Sequence, residues 1–378
     1  MEGAGYLGDM RILAVTTWLP TPGSPSTGAF VVRDAQAIAG RGHDVHLVHL
    51  VPPAQYAEGL AERDTIGGLP VTRVPMGTSN PVQIVEAGRV LRGMAGHADL
   101  VHSMAFSSLL PFAVRRPRAP WVHTEHWSGL TAPQTLPGWW QPLLPVLSRL
   151  LARPDVVTAV CNYLAAPIRE VRGAKVTTVV PCIVPVPAPV PPRPADDRRL
   201  RLVSIGGLID RKDPLLAVDT LAELLVRGHD ARLVFVGQGP LEEDIRQRAR
   251  TLEITERVRL TGSLDREGVL DQLARSHLFL GPTRGDNFFV SCAEAIVAGR
   301  PVVVGATGGQ GEYIDPDIGQ TVATQTAAAY ADAVESVMER TQGLSAQQIS
   351  DTIGQRFSVD SVAAGYQDAY DRARSAGA

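Results

Sequence analysis

Lysine is nearly absent: of 36 basic residues only Lys175 and Lys212 are lysines. Against so arginine-rich a background, a lysine in a turn reads as a chosen point charge. Cysteine is scarce too. Cys161, Cys182 and Cys292 are odd in number and far apart, which argues against a disulfide framework or a cysteine metal site and fits reduced thiols in a cytosolic protein. Charge of one sign does not accumulate. The formal net charge is −3 without a long block of either sign, unlike a dedicated nucleic-acid binder. Apolar runs stay below the roughly 18 residues of a membrane span, and the N-terminus lacks a basic-then-apolar signal layout. The expectation is therefore a cytoplasmic chain, with peripheral contact to the inner face of a membrane left open.

What is present is an alternation of β-branched runs and helical patterns over 378 residues, more than one core usually fills, so two domains are expected. Arg11–Thr17, a Pro/Gly/Ser loop, a helix through Val31, Ala35 and Ile38, and Asp44–Leu50 form a βαβ opening. Such repeats build parallel sheets covered by helices. Further strands are expected at 71–74, 99–102, 121–123, 156–160 and 176–180. Residues 181–194 carry seven prolines, too stiff and donor-poor for core structure, so 181–199 reads as a semi-rigid linker. The pattern restarts with strands at 200–205, 231–236, 257–260, 278–280 and 302–304, helices at 214–226, 241–251 and 267–274, and a helical tail from 326 to 374. The fold class is α/β. Two doubly wound Rossmann-like domains, 1–180 and 200–358, are expected to face each other across a cleft, with helix 359–376 rejoining the first.

The chain is organised around Gly281–Val304, read as strand, loop, helix and strand. Pro282 and Gly285 break the chain, helix begins near Ser291, and Pro301–Val304 resumes as strand. The loop delivers backbone N–H groups of Asn287, Phe288, Phe289 and Val290 to a helix start, an anion site. Asp286 and Glu294 frame it. Glu294 alone reads equally as dipole compensation and Asp286 alone as a solvated loop acid. Together they suit a ligand with both phosphates and hydroxyls, the diphosphate on the N–H groups and a ribose on Glu294. Upstream, Gly206–Lys212 follows the first strand of the second half, where a doubly wound sheet opens its ligand crevice, so Arg211 and Lys212 can reach a phosphate. The plain alternative is a solvated basic pair before a helix. Val236–Pro240 begins like a dinucleotide glycine turn, but Glu242 stands where the third glycine would be, which disfavours a nicotinamide site.

Asp286, seven intervening residues and then Glu294-Ala295, followed by Gly299-Arg300-Pro301-Val302-Val303, resemble the signature of the retaining glycosyltransferases of family 4, of the GT-B fold. That family usually has Glu where this chain has Asp286, and a Gly near Phe288–Phe289. Its Gly-Arg-Leu turn followed by Lys places Lys212 on the lysine and Gly207 at the arginine. Its Thr-x-His matches Thr124–His126, its helix-start glycine matches Gly28 (with Gly23 as competitor), and its base pocket maps to Gly237, Gly262 and Leu264. Pro181-Cys182-Ile183 departs from the usual Pro-Asn-Gly, and Cys161 stands where Ser is common.

The resemblance implies metal-independent transfer, with retention, from a nucleotide-diphosphate sugar, UDP or GDP, to an acceptor hydroxyl in natural-product, glycolipid or polysaccharide synthesis. It assigns His126, Lys212 and Asp286 to catalysis, and implies no cofactor and no metal. A nucleotide-sugar epimerase on the same fold and a non-catalytic partner subunit are the rivals. Trp139, Trp140 and the leucines to Leu151 read as a domain-packing helix or, alternatively, a membrane-facing one.

Overall fold

The computed structural model describes residues 9–24, 27–57, 59–135, 138, 141–195 and 199–377. The chain forms two compact units, residues 1–183 with 359–378, and residues 184–358.

Unit 1 contains β1 (Arg11–Thr16), α1 (Ala29–Ala39), β2 (Asp44–Val51), β3 (Arg63–Ile66), β4 (Leu69–Pro75), α2 (Pro81–Ala95), β5 (Leu100–Met104), β6 (Trp121–Glu125), β7 (Val156–Ala159), α3 (Asn162–Arg172) and β8 (Thr177–Val179). The sheet order is β3-β4-β2-β1-β5-β6-β7-β8, parallel except for β3 against β4. Strands β5 and β6 are buried along their whole length, as two-faced coverage of a parallel sheet requires. The C-terminal α10 (Val359–Gly377) closes this unit. Its Val362, Tyr366, Ala369, Tyr370 and Ala373 share a core with Val31, Ala35 and Ile38 of α1.

Unit 2 contains β9 (Arg199–Ile205), α4 (Pro214–Val226), β10 (Asp230–Val236), α5 (Glu242–Thr251), β11 (Val258–Leu260), α6 (Arg266–Ala274), β12 (Leu278–Gly281), α7 (Val290–Val297), β13 (Val302–Gly305), β14 (Gly319–Val322), α8 (Ala327–Arg340) and α9 (Ala346–Asp351). All its ladders are parallel, in the order β11-β10-β9-β12-β13-β14. The order reverses between β9 and β12, so loops leaving their carboxyl ends flank a crevice.

Three expectations need correction. The proline run, expected as a semi-rigid linker outside the cores, is anchored in buried structure: Val184 is fully buried and donates its N–H to Phe357 O at 2.8 Å. Arg300, also fully buried, donates to the carbonyls of Pro191 and Pro192 at 3.0 and 2.7 Å. Proline keeps its carbonyl acceptor, and a buried guanidinium must find acceptors. Second, strands β3 and β14 carry no clear strand signal; β3 is an exposed edge, and β14 includes Gly319, a poor strand former. Third, residues 141–152 form short 3₁₀ turns around a four-residue helix, broken by Pro142 and Pro145, whereas Trp139 and Trp140 lie outside the described residues.

Candidate functional site

The expected donor residues of unit 2 follow one edge of its sheet. Gly262 and Leu264 lie past β11, Gly237 past β10, Gly207–Lys212 past β9, and Asp286–Glu294 past β12. Three turns interlock here. Gly206 donates to Val236 O and Gly237 to Gly262 O, both at 2.9 Å, and Leu208 donates to Gln238 O at 3.0 Å. Gly237 has φ +142°, and a Cβ there would lie 2.0 Å from Gly206 O, so only glycine fits. A Cβ on Gly207 meets nothing nearer than 3.9 Å. Leu264 is 37% exposed.

The β12–α7 loop holds the charges. Lys212 Nζ donates to Asp286 Oδ2 at 2.6 Å, and Arg211 donates to the same oxygen at 2.9 Å and to Gly285 O at 2.7 Å. Lys212 also lies 3.6 Å from the centroid of the Phe289 ring, a cation–π contact. Burial lowers the Lys212 pKa, partly offset by Asp286. Burial would raise Asp286, but the charges of Lys212 and Arg211 hold its carboxyl well below the usual range. The other carboxylate oxygen accepts from Phe289 N–H at 2.9 Å and Phe288 N–H at 3.3 Å. Two of the N–H groups expected to face a diphosphate, those of Phe288 and Phe289, are therefore taken by Asp286.

Phe289 starts α7 at φ +57°, a left-handed conformation that favours glycine and strains other residues. It is held from both sides. Asp286 takes its N–H, and Tyr313 OH donates to Phe288 O and Phe289 O at 2.8 and 2.9 Å. Where the resembled family has glycine nearby, this chain pins a phenylalanine and sets its ring under Lys212. Ser291 Oγ donates to Ile205 O at 2.8 Å, fixing α7 to the end of β9. Glu294, one turn on, shares the half-buried face of α7 with Val290 and Ser291, while Asn287 is buried.

In unit 1, His126 follows β6. Glu125 Oε1 accepts the N–H groups of His126 and Trp127 at 2.9 and 2.8 Å, and Glu125 Oε2 lies 3.2 Å from His123 Nε2. Ser103 Oγ continues this buried chain, 2.9 Å from His123 Nδ1 and accepting from Trp121 Nε1 at 2.8 Å. His123 and Glu125 thus fix the turn that carries His126. The His126 ring packs against Phe30 of α1 at 4.5 Å, and burial followed by the charge of His123 lowers its pKa to about 3. Gly28 caps the same helix at φ +69°, where a Cβ would lie 2.2 Å from Trp18 O. Its glycine is required by chain packing, whatever else approaches it. Sequence reading missed the Trp18–Phe30 pair, which connects Gly28 to His126; their ring centroids are 5.8 Å apart. No periodic signal marks it. Among the described residues no cluster of three or more His, Cys, Asp or Glu is arranged to hold a metal ion, and no helix is long and apolar enough to cross a membrane.

These two doubly wound units, with their cation–carboxylate loop, are of the GT-B glycosyltransferase class. Residues 28–186 match the model of glycosyltransferase family 4 and residues 191–352 that of glycosyl transferases group 1, and the chain belongs to this family. It is 28% identical over 329 residues to a GDP-mannose-dependent α-(1-6)-phosphatidylinositol monomannoside mannosyltransferase of Mycobacterium tuberculosis, covering 80% of this chain and 82% of the relative. It is 33% identical over 147 residues to the corresponding dimannoside mannosyltransferase, spanning 39% of this chain and only 37% of that relative. A 2-deoxystreptamine glucosyltransferase of Streptomyces kanamyceticus is 27% identical over 53% of this chain and 56% of its own. Among solved structures, sucrose-phosphate synthase from Thermosynechococcus elongatus superposes with TM-score 0.73 at 18% identity, covering 96% of this chain and 98% of its own. Anabaena HepE in complex with UDP gives 0.72 at 17% identity, covering 95% and 99%.

Proposed function

We propose that this protein transfers a hexosyl group from a nucleotide-diphosphate sugar, UDP- or GDP-linked, to an acceptor hydroxyl with retention of anomeric configuration. The observation that carries the reading is the convergence of Arg211 and Lys212 on Asp286 at the crevice of unit 2. In the reaction the bond from the anomeric carbon to the diphosphate oxygen breaks and a bond to the acceptor oxygen forms. The acceptor's proton passes to the departing diphosphate. Charge accumulates on that diphosphate, and preorganised cations stabilise it more in the transition state than in the ground state. Lys212, with three donors of which Asp286 takes one, suits this part, and two fixed cations can act there without a metal ion. Asp286 positions them. Glu294 accepts from ribose hydroxyls, and Gly237, Gly262 and Leu264 border the base. His126 contributes from unit 1 on the acceptor side.

GDP-mannose dependence in the mycobacterial relatives and UDP in a structural neighbour support the donor class. Calorimetric titration with UDP and GDP is the test. Wild-type protein is expected to bind one of them, and Glu294→Gln to weaken it by about 1.5–3 kcal/mol, the value of a charged hydrogen bond. Unchanged affinity in a folded Glu294→Gln variant removes Glu294 from the site, and binding of neither nucleotide by the wild type overturns the donor reading. Donor turnover without any acceptor would instead identify an epimerase.

A further inference from the structure

A cavity lies wholly within unit 1, at the carboxyl ends of β1, β2, β4 and β5. Its volume is about 590 Å³, and Thr17, Leu50, Met76 and Phe106 reach it from the ends of those strands. Among the described residues no charged side chain lines it, in contrast to the cation-rich crevice of unit 2.

Its walls are built with care. Trp18, Phe106 and Trp127 supply aromatic surface, with Phe106 and Trp127 at 5.0 Å between ring centroids. The Trp127 ring lies over Gly129, where a Cβ would come within 2.3 Å of it, and Glu125 fixes the Trp127 N–H. Ala105 is held at φ +71°, a conformation L-residues avoid, and so turns Phe106 and Ser107 toward the cavity. Strain of this kind persists where the surroundings enforce it, commonly at ligand sites. Uncharged polar groups interrupt the apolar lining: Gln55, Thr78, and the paired hydroxyls of Thr17 and Ser107, 2.5 Å apart. The cavity is contiguous with His126 through Trp127, its neighbour in the chain, and through Trp18 and Phe30.

We infer that this cavity binds the acceptor, and that the acceptor is an uncharged molecule with an apolar, ring-bearing body and a hydroxyl met by Thr17 and Ser107. An ionised group placed here would be desolvated without a partner, a cost a neutral ring does not incur, whereas flat rings gain from offset or edge contact with the aromatic walls. Anionic phosphoinositides and cationic aminocyclitols, the acceptors named for its relatives, are disfavoured. The word acceptor rests on the transfer reading above; the cavity's preference for neutral rings does not.

The test is calorimetric titration of the full chain with 2-naphthol, 2-naphthyl phosphate and 2-naphthylmethylamine, which share a ring system and differ in charge. 2-Naphthol is expected to bind at least about tenfold tighter than either charged analogue. Ile84, half-buried on α2 and lining the cavity, gives the variant least disruptive to the fold. Ile84→Glu is expected to weaken 2-naphthol at least about tenfold and to bring the amine to parity or better, as a buried carboxylate would. Ser107→Ala should weaken 2-naphthol several-fold, about the value of one hydrogen bond. A charged analogue binding as tightly as 2-naphthol to wild type, or Ile84→Glu with unchanged 2-naphthol affinity, overturns the proposal. UDP and GDP titrations on the same samples separate the two readings. Nucleotide binding without 2-naphthol preference rejects the cavity alone, and 2-naphthol preference without nucleotide binding rejects the donor site alone.

Discussion

Lys212 and Asp286 stand 74 positions apart in the chain and 2.6 Å apart in space. Lys212 is the only lysine of unit 2. Its ammonium is held by a carboxylate on one side and the Phe289 ring on another, and both partners come from the one loop that starts α7.

That pairing predicts the cost of removing the acid. Asp286→Ala leaves Lys212 and Arg211 without their shared acceptor and Phe289 N–H without its cap. Breaking a largely buried pair from one side costs on the order of 3 kcal/mol. Chemical denaturation should show the midpoint of unit 2 falling accordingly. A midpoint within error of wild type would mean that water or another group already serves the lysine.

Gly207 and Gly237 should behave oppositely. Gly207 has open space beyond its Cα, and Gly207→Arg adds a third cation to the crevice edge. Nucleoside diphosphate affinity should rise by about tenfold, the value of a charged hydrogen bond. Gly237→Ala collides with Gly206 O and should abolish nucleotide binding measured by the same calorimetry. Loss of affinity in Gly207→Arg would show that this edge does not face the phosphates.

Cys161 caps α3, its Sγ accepting the Leu164 N–H at 3.3 Å. A thiol is a weak acceptor and serine a preferred cap, so Cys161→Ser should stabilise unit 1 by about 0.5–1 kcal/mol. Thermal unfolding would report it as a raised Tm, and a lowered one would contradict the capping role.

Acid should remove the contribution of His102 to the stability of unit 1. His102 is fully buried between Thr124 Oγ1 at 2.6 Å and Tyr370 OH at 2.9 Å, and burial lowers its pKa to about 3. The unfolded chain binds a proton near pH 6.5 that the folded chain refuses. This contribution is complete above that pH and declines as pH falls toward 3. At pH 5 the loss is about 2 kcal/mol. Asp34 works the other way: burial raises its pKa to about 7, so its neutral form favours folding at low pH and that benefit fades between about 4 and 7. Equilibrium unfolding at pH 7.5 and pH 5 should show His102→Gln losing about 2 kcal/mol less than wild type on acidification, the Asp34 and His126 contributions being common to both. An unchanged slope in His102→Gln would assign the pH dependence to other groups.

Much of this protein is determined by local sequence. Strand and helix periods, set by alternating and 3.6-residue burial, mark twelve of the fourteen strands named above and place helix 214–226 at its observed boundaries. The motif Asp286–Val304 and the lone Lys212 are legible because a turn after a parallel strand has few uses for such groups. What the tertiary structure decided is pairing and occupancy. That Asp286 takes the N–H groups of Phe288 and Phe289 depends on how far its short side chain reaches back within the folded loop. That Phe289 accepts a glycine-like backbone depends on Tyr313, 24 residues away. The proline run is fastened by Arg300, and the charge-free cavity draws one or two side chains from each of several strand ends. Such contacts join residues distant in sequence, and no local period encodes them. Burial makes each such contact strong, and burial exists only once the sheets have formed.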